Sequence, residues 1–260
     1  MIKNKIYNEN NLKTMNRLDD NSIDGIITSP PYNLGKNPNH RKLSEDDYNL
    51  YIDNIDNLSE EEYLEIRINE FKEFQRIMKN DGVILYNMSY SKENPMLPLI
   101  LLNKIHTETN LTLADIIIWK KSKANPFQTS PNKLTRISEL IYVIVNKKYL
   151  HTFKANKEIS KINEKTGQKF YKNYTNFIEA KNNDGIKSKN KAIFSTDLVE
   201  KLIHIYFPEK SIIYDPFIGV GTTAKGCISK NCYFIGSEII KEFYEELKIN
   251  IQDYVKQKRK

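Results

Sequence analysis

The arrangement of residues 211–238 restricts the fold more than any other part of the sequence. The apolar run 212–214 is typical of a strand buried in a parallel sheet, and residues 232–236 form a second run of this kind. Between them lie a glycine turn and a segment that can begin a helix at Thr222. Parallel strands need such a crossover, so this arrangement predicts an α/β sheet with helices on its faces.

The turn between these strands has the composition of a nucleotide-type binding loop. Gly219 and Gly221 allow the backbone to approach a ligand closely, and Glu238 lies about 20 residues beyond the turn, where an acid binds ribose hydroxyls. A tight turn without a ligand and a solvated strand end are the alternatives. The predicted cofactor-binding residues are Asp215, Phe217, Gly219, Gly221, Thr222, Thr223 and Glu238.

A second polar turn, Ser29-Pro30-Pro31-Tyr32, follows the apolar run 26–28. The exocyclic amine of a nucleobase is a weak nucleophile because its lone pair is delocalised into the ring. Acceptors that hold both amine hydrogens make it more reactive; the Ser29 hydroxyl and the Pro30 carbonyl can do this, and two prolines fix the turn. Tyr32 offers a ring on which an extruded base can stack. These four residues are the candidate catalytic residues, and an ordinary Ser-Pro-Pro turn is the alternative.

Together the two turns resemble the beta group of amino-methylating DNA methyltransferases, in which the catalytic tetrapeptide precedes the cofactor loop. The segments that carry the resemblance are 29–32, 215–223, 234–238, the Trp-x-Lys strand at 117–121, and 192–195. The sequence departs from the pattern at three places. Val220 replaces a small residue, Asn10 stands where aspartate is usual, and Asn190-Lys191 replaces His-Pro.

The resemblance implies an α/β, Rossmann-like S-adenosylmethionine-dependent methyltransferase fold, with a mixed seven-stranded sheet and helices on both faces. It implies S-adenosyl-L-methionine as the cofactor and double-stranded DNA as the substrate, with the target base flipped out. A serine in the tetrapeptide favours cytosine N4 as the methylated atom, and adenine N6 is the alternative. Asn10, Asn33 and Arg136 are the expected substrate-binding residues. A homodimer and a cognate restriction endonuclease are further partners that the resemblance allows.

Composition agrees with a nucleic-acid partner. The 260 residues carry a net charge of +7, and residues 150–191 contain ten lysines, four acidic residues and interleaved aromatic residues. No apolar run is long enough to span a membrane and no signal peptide is recognisable, so we expect a cytoplasmic protein. Neither Cys227 nor Cys232 follows a proline, which argues against C5 methylation of cytosine by a thiolate. The four scattered histidines predict no metal site.

The chain divides into three predicted segments. Residues 1–149 form the catalytic half of the domain, residues 150–191 a target-recognition insertion, and residues 192–260 the cofactor-binding half. A flexible basic insertion is the alternative for the middle segment. Two rival functions are a noncatalytic nucleic-acid-binding protein and a methyltransferase of RNA bases or protein amides, although the latter usually carries Asn in place of Ser29.

Several secondary-structure elements are predicted around the two turns. Residues 34–58 are polar and indicate a mobile loop beside the active site. Apolar residues at helical spacing predict an amphipathic helix over residues 59–79, ended by Asp81-Gly82. Residues 114–119 and 140–145 are predicted to be neighbouring antiparallel strands.

Overall fold

The structure of the chain, a computed structural model, describes residues 3–33, 58–90, 94–122, 131, 134–185 and 194–258. The loop predicted at residues 34–58 lies outside these ranges except for Leu58. In the described part of the chain, no helix is both long enough and apolar enough to cross a membrane.

Ten strands are present in the described residues. They are β1 (Lys5–Tyr7), β2 (Ile23–Thr28), β3 (Met78–Met88), β4 (Leu111–Lys121), β5 (Ser138–Asn146), β6 (Ile159–Ile162), β7 (Lys169–Tyr171), β8 (Phe177–Ala180), β9 (Ile212–Asp215) and β10 (Tyr233–Ser237). Eight of them form one sheet in the order β1-β10-β9-β2-β3-β5-β4-β8. The run from β1 to β3 is parallel, and β5 is antiparallel to both β3 and β4. The sheet is therefore mixed, and the predicted antiparallel pair is confirmed.

The main sheet has eight strands in the described residues, one more than the seven predicted. The additional strand is β8, which lies within residues 150–191, the segment predicted to be an insertion, and pairs in parallel with β4. Its side chains alternate between exposed and buried positions, and Ile178 and Ala180 pack into the core. The insertion thus extends the sheet, because this short alternating segment can bury one face against the strand that carries Trp119.

Helices cover both faces of the sheet. They are α1 (Asn11–Met15), α2 (Glu60–Ile77), α3 (Leu97–Glu108), α4 (Thr196–Tyr206), α5 (Thr222–Ser229) and α6 (Lys241–Lys258). Helices α2 and α3 pack on one face through a cluster that includes Phe71 and Leu101. Helices α4, α5 and α6 pack on the other face through a cluster that includes Val199, Cys227 and Leu247. The two faces therefore have separate apolar cores.

Helix α2 begins with a capping box, in which the Ser59 and Glu62 side chains each bind the other's backbone amide. The predicted end at Asp81-Gly82 is wrong. The helix ends at Ile77, and Asp81-Gly82 lies inside β3. A Cβ at Gly82 would lie 2.9 Å from the Asp24 carbonyl oxygen, so this glycine permits close packing of strands and does not cap the helix.

Candidate active site

The two polar turns are neighbours because their strands are neighbours. Strand β2, which precedes Ser29, pairs in parallel with β9, which ends at Asp215. The carboxyl ends of parallel strands meet at one edge of a sheet, which is where ligands bind in open α/β folds. The Thr28 hydroxyl donates a hydrogen bond of 2.8 Å to Asp215 Oδ1 across this edge. The bond joins the turn predicted to be catalytic (residues 29–32, here called the catalytic turn) to the loop predicted to bind the cofactor (residues 215–223, here called the cofactor loop).

A cavity of about 330 Å³ opens at this edge of the sheet. The catalytic turn contributes Ser29, Pro30 and Pro31 to its wall, and Asn10 lies on the wall beside α1. Five of the predicted cofactor-binding residues also line it: Asp215, Phe217, Gly219, Thr222 and Glu238. The cavity thus brings together most of the residues singled out in the sequence. Gly221, Thr223 and Tyr32 are not part of its wall.

Asp215 organises the cofactor loop from within. Its carboxylate accepts hydrogen bonds from the Thr223 hydroxyl at 2.6 Å and from the Phe217 backbone amide at 3.0 Å, in addition to the bond from Thr28. Burial raises the pKa of Asp215 to about 6, and these hydrogen bonds oppose the shift. Within the described residues, Asp215 therefore binds three parts of the protein that surround the cavity.

Glycine conformation and Glu238 shape the opposite wall. Gly219 has φ +52° and Gly221 has φ +86°, so the loop turns through a backbone region that favours glycine. The Glu238 carboxylate accepts hydrogen bonds from the Gly219 amide at 3.1 Å and from the Ile240 amide at 2.8 Å. These bonds fix the carboxylate at the end of β10 beside the cofactor loop.

The cavity fits a nucleoside that carries a polar extension. Glu238 offers carboxylate oxygens to ribose hydroxyls, and Ile239 and Ile240 next to it provide an apolar wall for a flat base. On the loop side, the buried Thr222 hydroxyl has no hydrogen-bond partner within the described residues. It lies at the N-terminus of α5, where unpaired backbone amides favour a negatively charged group such as a carboxylate.

The catalytic turn is held from both sides by hydrogen bonds. The hydroxyl of the fully buried Tyr63 on α2 donates to the Pro31 carbonyl at 2.9 Å. The hydroxyls of Ser29 and Tyr32 lie 2.8 Å apart. The buried Asn87 side-chain amide at the end of β3 donates to the Tyr32 hydroxyl at 2.8 Å. Burial, with a further contribution from the charge of Glu139, raises the pKa of Tyr32 well above its usual value, so this hydroxyl stays protonated.

The three predicted substrate-binding residues are placed differently. Asn10 caps α1 and lines the cavity. Asn33 forms two hydrogen bonds of 2.9 Å with the backbone of Leu58, so both polar atoms of its side chain bind protein. Arg136 donates to the Tyr90 carbonyl at 2.5 Å and lies over the Tyr90 ring. Contact of these residues with a substrate stays a prediction.

Several residues at the site were not identified from the sequence. The Asn87 side-chain amide donates hydrogen bonds to Tyr32 of the catalytic turn and to Glu139. The buried ion pair Arg67–Glu70 lines the cavity, with 3.2 Å between Arg67 Nη2 and Glu70 Oε1. A polar residue such as Asn87 at the carboxyl end of an apolar run is a usable signal. Glu139 carries no comparable signal, because its position depends on the antiparallel pairing of β5.

The fold and this cavity define a Rossmann-like domain with a nucleotide-type site beside a polar catalytic turn. A family model for N6- and N4-modifying enzymes, described as DNA methylase, matches residues 23–249. The chain therefore belongs to this family of DNA amino-methyltransferases.

Curated relatives span most of the chain. The type II methyltransferase M.BglII of Bacillus subtilis is 26% identical over 263 residues, which cover 93% of this chain and 67% of that protein. M.HpaI of Haemophilus parainfluenzae, also a type II methyltransferase, is 28% identical over 250 residues, covering 92% and 71%.

Solved structures share the fold. The PvuII DNA methyltransferase, named as cytosine-N4-specific, superposes with a TM-score of 0.69 at 18% identity, covering 94% of this chain and 84% of that one. The complex of M1.HpyAVI with SAM superposes with a TM-score of 0.61 at 22% identity, covering 95% and 98%. At these identities the likeness concerns the fold.

Proposed function

We propose that this protein methylates the N4 amine of cytosine in double-stranded DNA, as the modification enzyme of a restriction-modification system. The observation that carries the proposal is that the catalytic turn and the cofactor loop line one cavity. They are joined there by the hydrogen bond between Thr28 and Asp215. Family membership and relatives named type II methyltransferases support DNA as the substrate.

S-adenosyl-L-methionine is the methyl donor, and when bound it supplies an electrophilic methyl group on a sulfonium. Glu238 would bind the ribose hydroxyls, and Ile239 and Ile240, which line the same cavity, would contact the adenine. Thr222 and the backbone at the start of α5 would bind the amino-acid end. Asp215 holds the loop around these groups through Thr28, Phe217 and Thr223. The complex of M1.HpyAVI with SAM supports this choice of cofactor.

At the catalytic turn, the Ser29 hydroxyl and the Pro30 carbonyl accept the two hydrogens of the target amine. Both residues line the cavity, so an extruded base would meet the cofactor site there. Tyr63 fixes the turn through the Pro31 carbonyl, which keeps the two acceptors in place. The Tyr32 ring provides the stacking surface for the base.

The insertion supplies DNA contacts away from the cavity. Strands β6 and β7 form an antiparallel two-stranded ribbon whose residues are all exposed. Lys161 and Lys169 lie on it, and Phe170 and Tyr171 remain 45% and 54% exposed. The major groove of DNA is wide enough for such a ribbon. We therefore assign recognition to residues 150–191, between a catalytic half, residues 1–149, and a cofactor half, residues 192–260.

The proposal includes two protein partners, a restriction endonuclease and a second copy of this chain. Type II modification enzymes act beside an endonuclease of the same specificity, and a homodimer would present two ribbons to one DNA site. Since DNA is the substrate, the cytoplasm is the compartment in which we expect the enzyme. Size-exclusion chromatography with light scattering tests the dimer directly.

The deciding experiment is mass spectrometry of nucleosides from DNA incubated with the purified protein and labelled S-adenosyl-L-methionine. N4-methylcytosine supports the proposal in full. N6-methyladenine keeps the mechanism and changes the base, since the same two acceptors can hold either amine. A Ser29→Ala preparation is the control for contaminating activity, and unmodified DNA despite measured cofactor binding would refute DNA methylation.

A further inference from the structure

A chain of hydrogen bonds leads from the cavity to an acidic residue on the far side of the catalytic turn. It begins at Ser29, which lines the cavity, and passes to the Tyr32 hydroxyl at 2.8 Å. Burial first, and then the charge of Glu139 on β5, raise the pKa of Tyr32, so this carboxylate lies near the Tyr32 hydroxyl. The Asn87 amide binds both ends of this step, with 2.8 Å to the Tyr32 hydroxyl and 2.9 Å to Glu139 Oε2. Lys121 on β4 forms an ion pair with Glu139 Oε1.

The groups at the two ends of this series of hydrogen bonds limit which atom can donate at each step. A carboxylate only accepts hydrogen bonds, and the side-chain nitrogen of Asn87 only donates them. The arrangement that uses all of these groups has Tyr32 donating its single hydrogen to Glu139, while its oxygen accepts from Asn87 and from Ser29. Asn87 Nδ2 also lies 3.4 Å from Ser29 Oγ, so when Ser29 donates to Tyr32 one of its lone pairs accepts this long hydrogen bond and the other is free. The free lone pair can accept one hydrogen of the target amine, and the Pro30 carbonyl accepts the other.

We propose that Glu139 is a positioning residue for methyl transfer, orienting Ser29 through Tyr32 and taking up the proton that the methylated amine releases. The inference rests on the proposed function. In the reaction, a bond forms between the amine nitrogen and the methyl carbon, and the bond from that carbon to sulfur breaks. The cationic amine then gives a proton to Ser29 Oγ, the Ser29 proton passes to Tyr32, and the Tyr32 proton passes to the Glu139 carboxylate. The Glu139 side chain is 16% exposed, so the proton can continue to solvent.

The surroundings of Glu139 suit this role. Asn87 is 4% exposed and is held at the end of β3, so the amide that fixes the Tyr32 oxygen has little freedom to move. β3 and β5 are paired neighbours, with Asn87 opposite Ile141 in the register. Glu139 therefore lies on a strand of the sheet and not on a loop, so the distances between the hydrogen-bonded groups vary little.

The test is a double-mutant cycle with Glu139→Gln and Tyr32→Phe, measured as the single-turnover rate of methylation with cofactor and DNA in excess. Each single change should lower the rate by about 10²-fold, in the range of positioned proton-transfer groups. The double variant should be no slower than the slower single variant, because both changes interrupt the same chain. Losses that multiply would overturn the proposal, as would a Glu139→Gln rate within twofold of the wild type.

Two further variants separate this role from a merely structural one. Glu139→Asp keeps the charge and should retain more of the rate than Glu139→Gln, which keeps only the shape; the reverse order contradicts the proposal. Glu108→Gln removes a carboxylate from a surface ion pair with Lys104 on α3 and should leave the rate unchanged. Dissociation constants for the cofactor and for DNA should stay within about threefold in all variants.

These measurements also distinguish failure of the inference from failure of the proposed function. A wild-type protein that binds the cofactor and methylates no DNA base refutes the function. A wild-type protein that methylates DNA, with Glu139 variants as fast as the parent, refutes only the role of Glu139.

Discussion

The cavity wall and the ribbon of the insertion are built from different kinds of contact. At the cavity, hydrogen bonds join separate elements of the fold: Thr28 at the end of β2 binds Asp215 at the end of β9, and Tyr63 on α2 binds Pro31 in the catalytic turn. On the ribbon, every strand residue is exposed, and its ion pair between Glu158 and Lys172 lies at the surface. Chemistry needs fixed distances, whereas contact with a polyanion depends mainly on charge and reach. Changes at the cavity should therefore have large and specific effects, and changes on the ribbon smaller and graded ones.

The largest effect is expected for Ser29→Ala. Removing the hydroxyl leaves the target amine with one acceptor, so the single-turnover rate should fall by about 10²- to 10³-fold. Cofactor affinity, measured by calorimetry, should change less than threefold because Glu238 and the cofactor loop are untouched. Full activity of this variant would show that the Ser29 hydroxyl does not take part.

The next effect concerns the pH dependence of stability. The pKa of Asp215 is raised to about 6 in the folded protein from an ordinary value of 3.8, so the folded state binds the extra proton between these values. Stability contributed by the protonated form is present below pH 4 and is lost as pH rises to about 6, by up to about 3 kcal/mol.

Urea unfolding of the wild type and of Asp215→Asn at pH 4.5 and pH 7 measures this term. The wild type should lose more stability over the interval than the variant, which has no ionisable group at this position. Equal pH dependence in both proteins would show that Asp215 titrates normally.

A pair of glycine substitutions compares the two regions directly. Gly221 in the cofactor loop has φ +86°, and an added Cβ would lie 3.2 Å from Ile251; Gly167 in the ribbon turn has φ +69° and open space around it. Gly221→Ala should lower the free energy of unfolding by about 2 kcal/mol and weaken cofactor binding. Gly167→Ala should lower the free energy of unfolding by about 1 kcal/mol, from its positive φ alone, and leave cofactor binding unchanged, as judged by thermal unfolding and calorimetry. Equal effects of the two substitutions on stability and on cofactor binding would show that the two regions do not differ in this way.

The smallest effect is expected on the ribbon. Replacing Lys161, Lys165 and Lys169 by alanine should weaken DNA binding by about tenfold at physiological salt, with a slope against log salt reduced by about 1 per lysine that contacts phosphate. Fluorescence anisotropy at several salt concentrations measures both quantities. Replacing Lys104, Lys248 and Lys256, which lie in surface ion pairs on helices, removes the same charge and is the matched control. An equal loss in the control would assign the effect to net charge alone.

The sequence was enough to predict those parts of the site that are formed by continuous segments of the chain. Each of the two turns is a short segment at a strand end, and parallel pairing brings the ends of β2 and β9 together. Glu139 could not be found this way, because its approach to Tyr32 depends on the register between β3 and β5. The eighth strand was missed for a similar reason: Phe177–Ala180 is four residues long and becomes a strand through pairing with β4.

The C-terminal end of helix α2 shows where prediction from local composition failed. The Asp81-Gly82 pair has the composition of a helix end, yet the chain leaves the helix at Ile77 and these residues enter β3. Tertiary pairing with β2 decided the boundary, and local composition did not.

The two hydrogen bonds between Asn33 and Leu58 have a consequence for the segment of chain between them. They fix its entry and its exit at one place, immediately after the catalytic turn and immediately before the cap of α2. The entropic cost of joining two fixed ends by a flexible chain grows only with the logarithm of the chain's length, by about 0.6 kcal/mol for each doubling. A peptide or a small reporter domain could therefore be inserted within residues 34–57, with Ser29 and its neighbours kept in their positions.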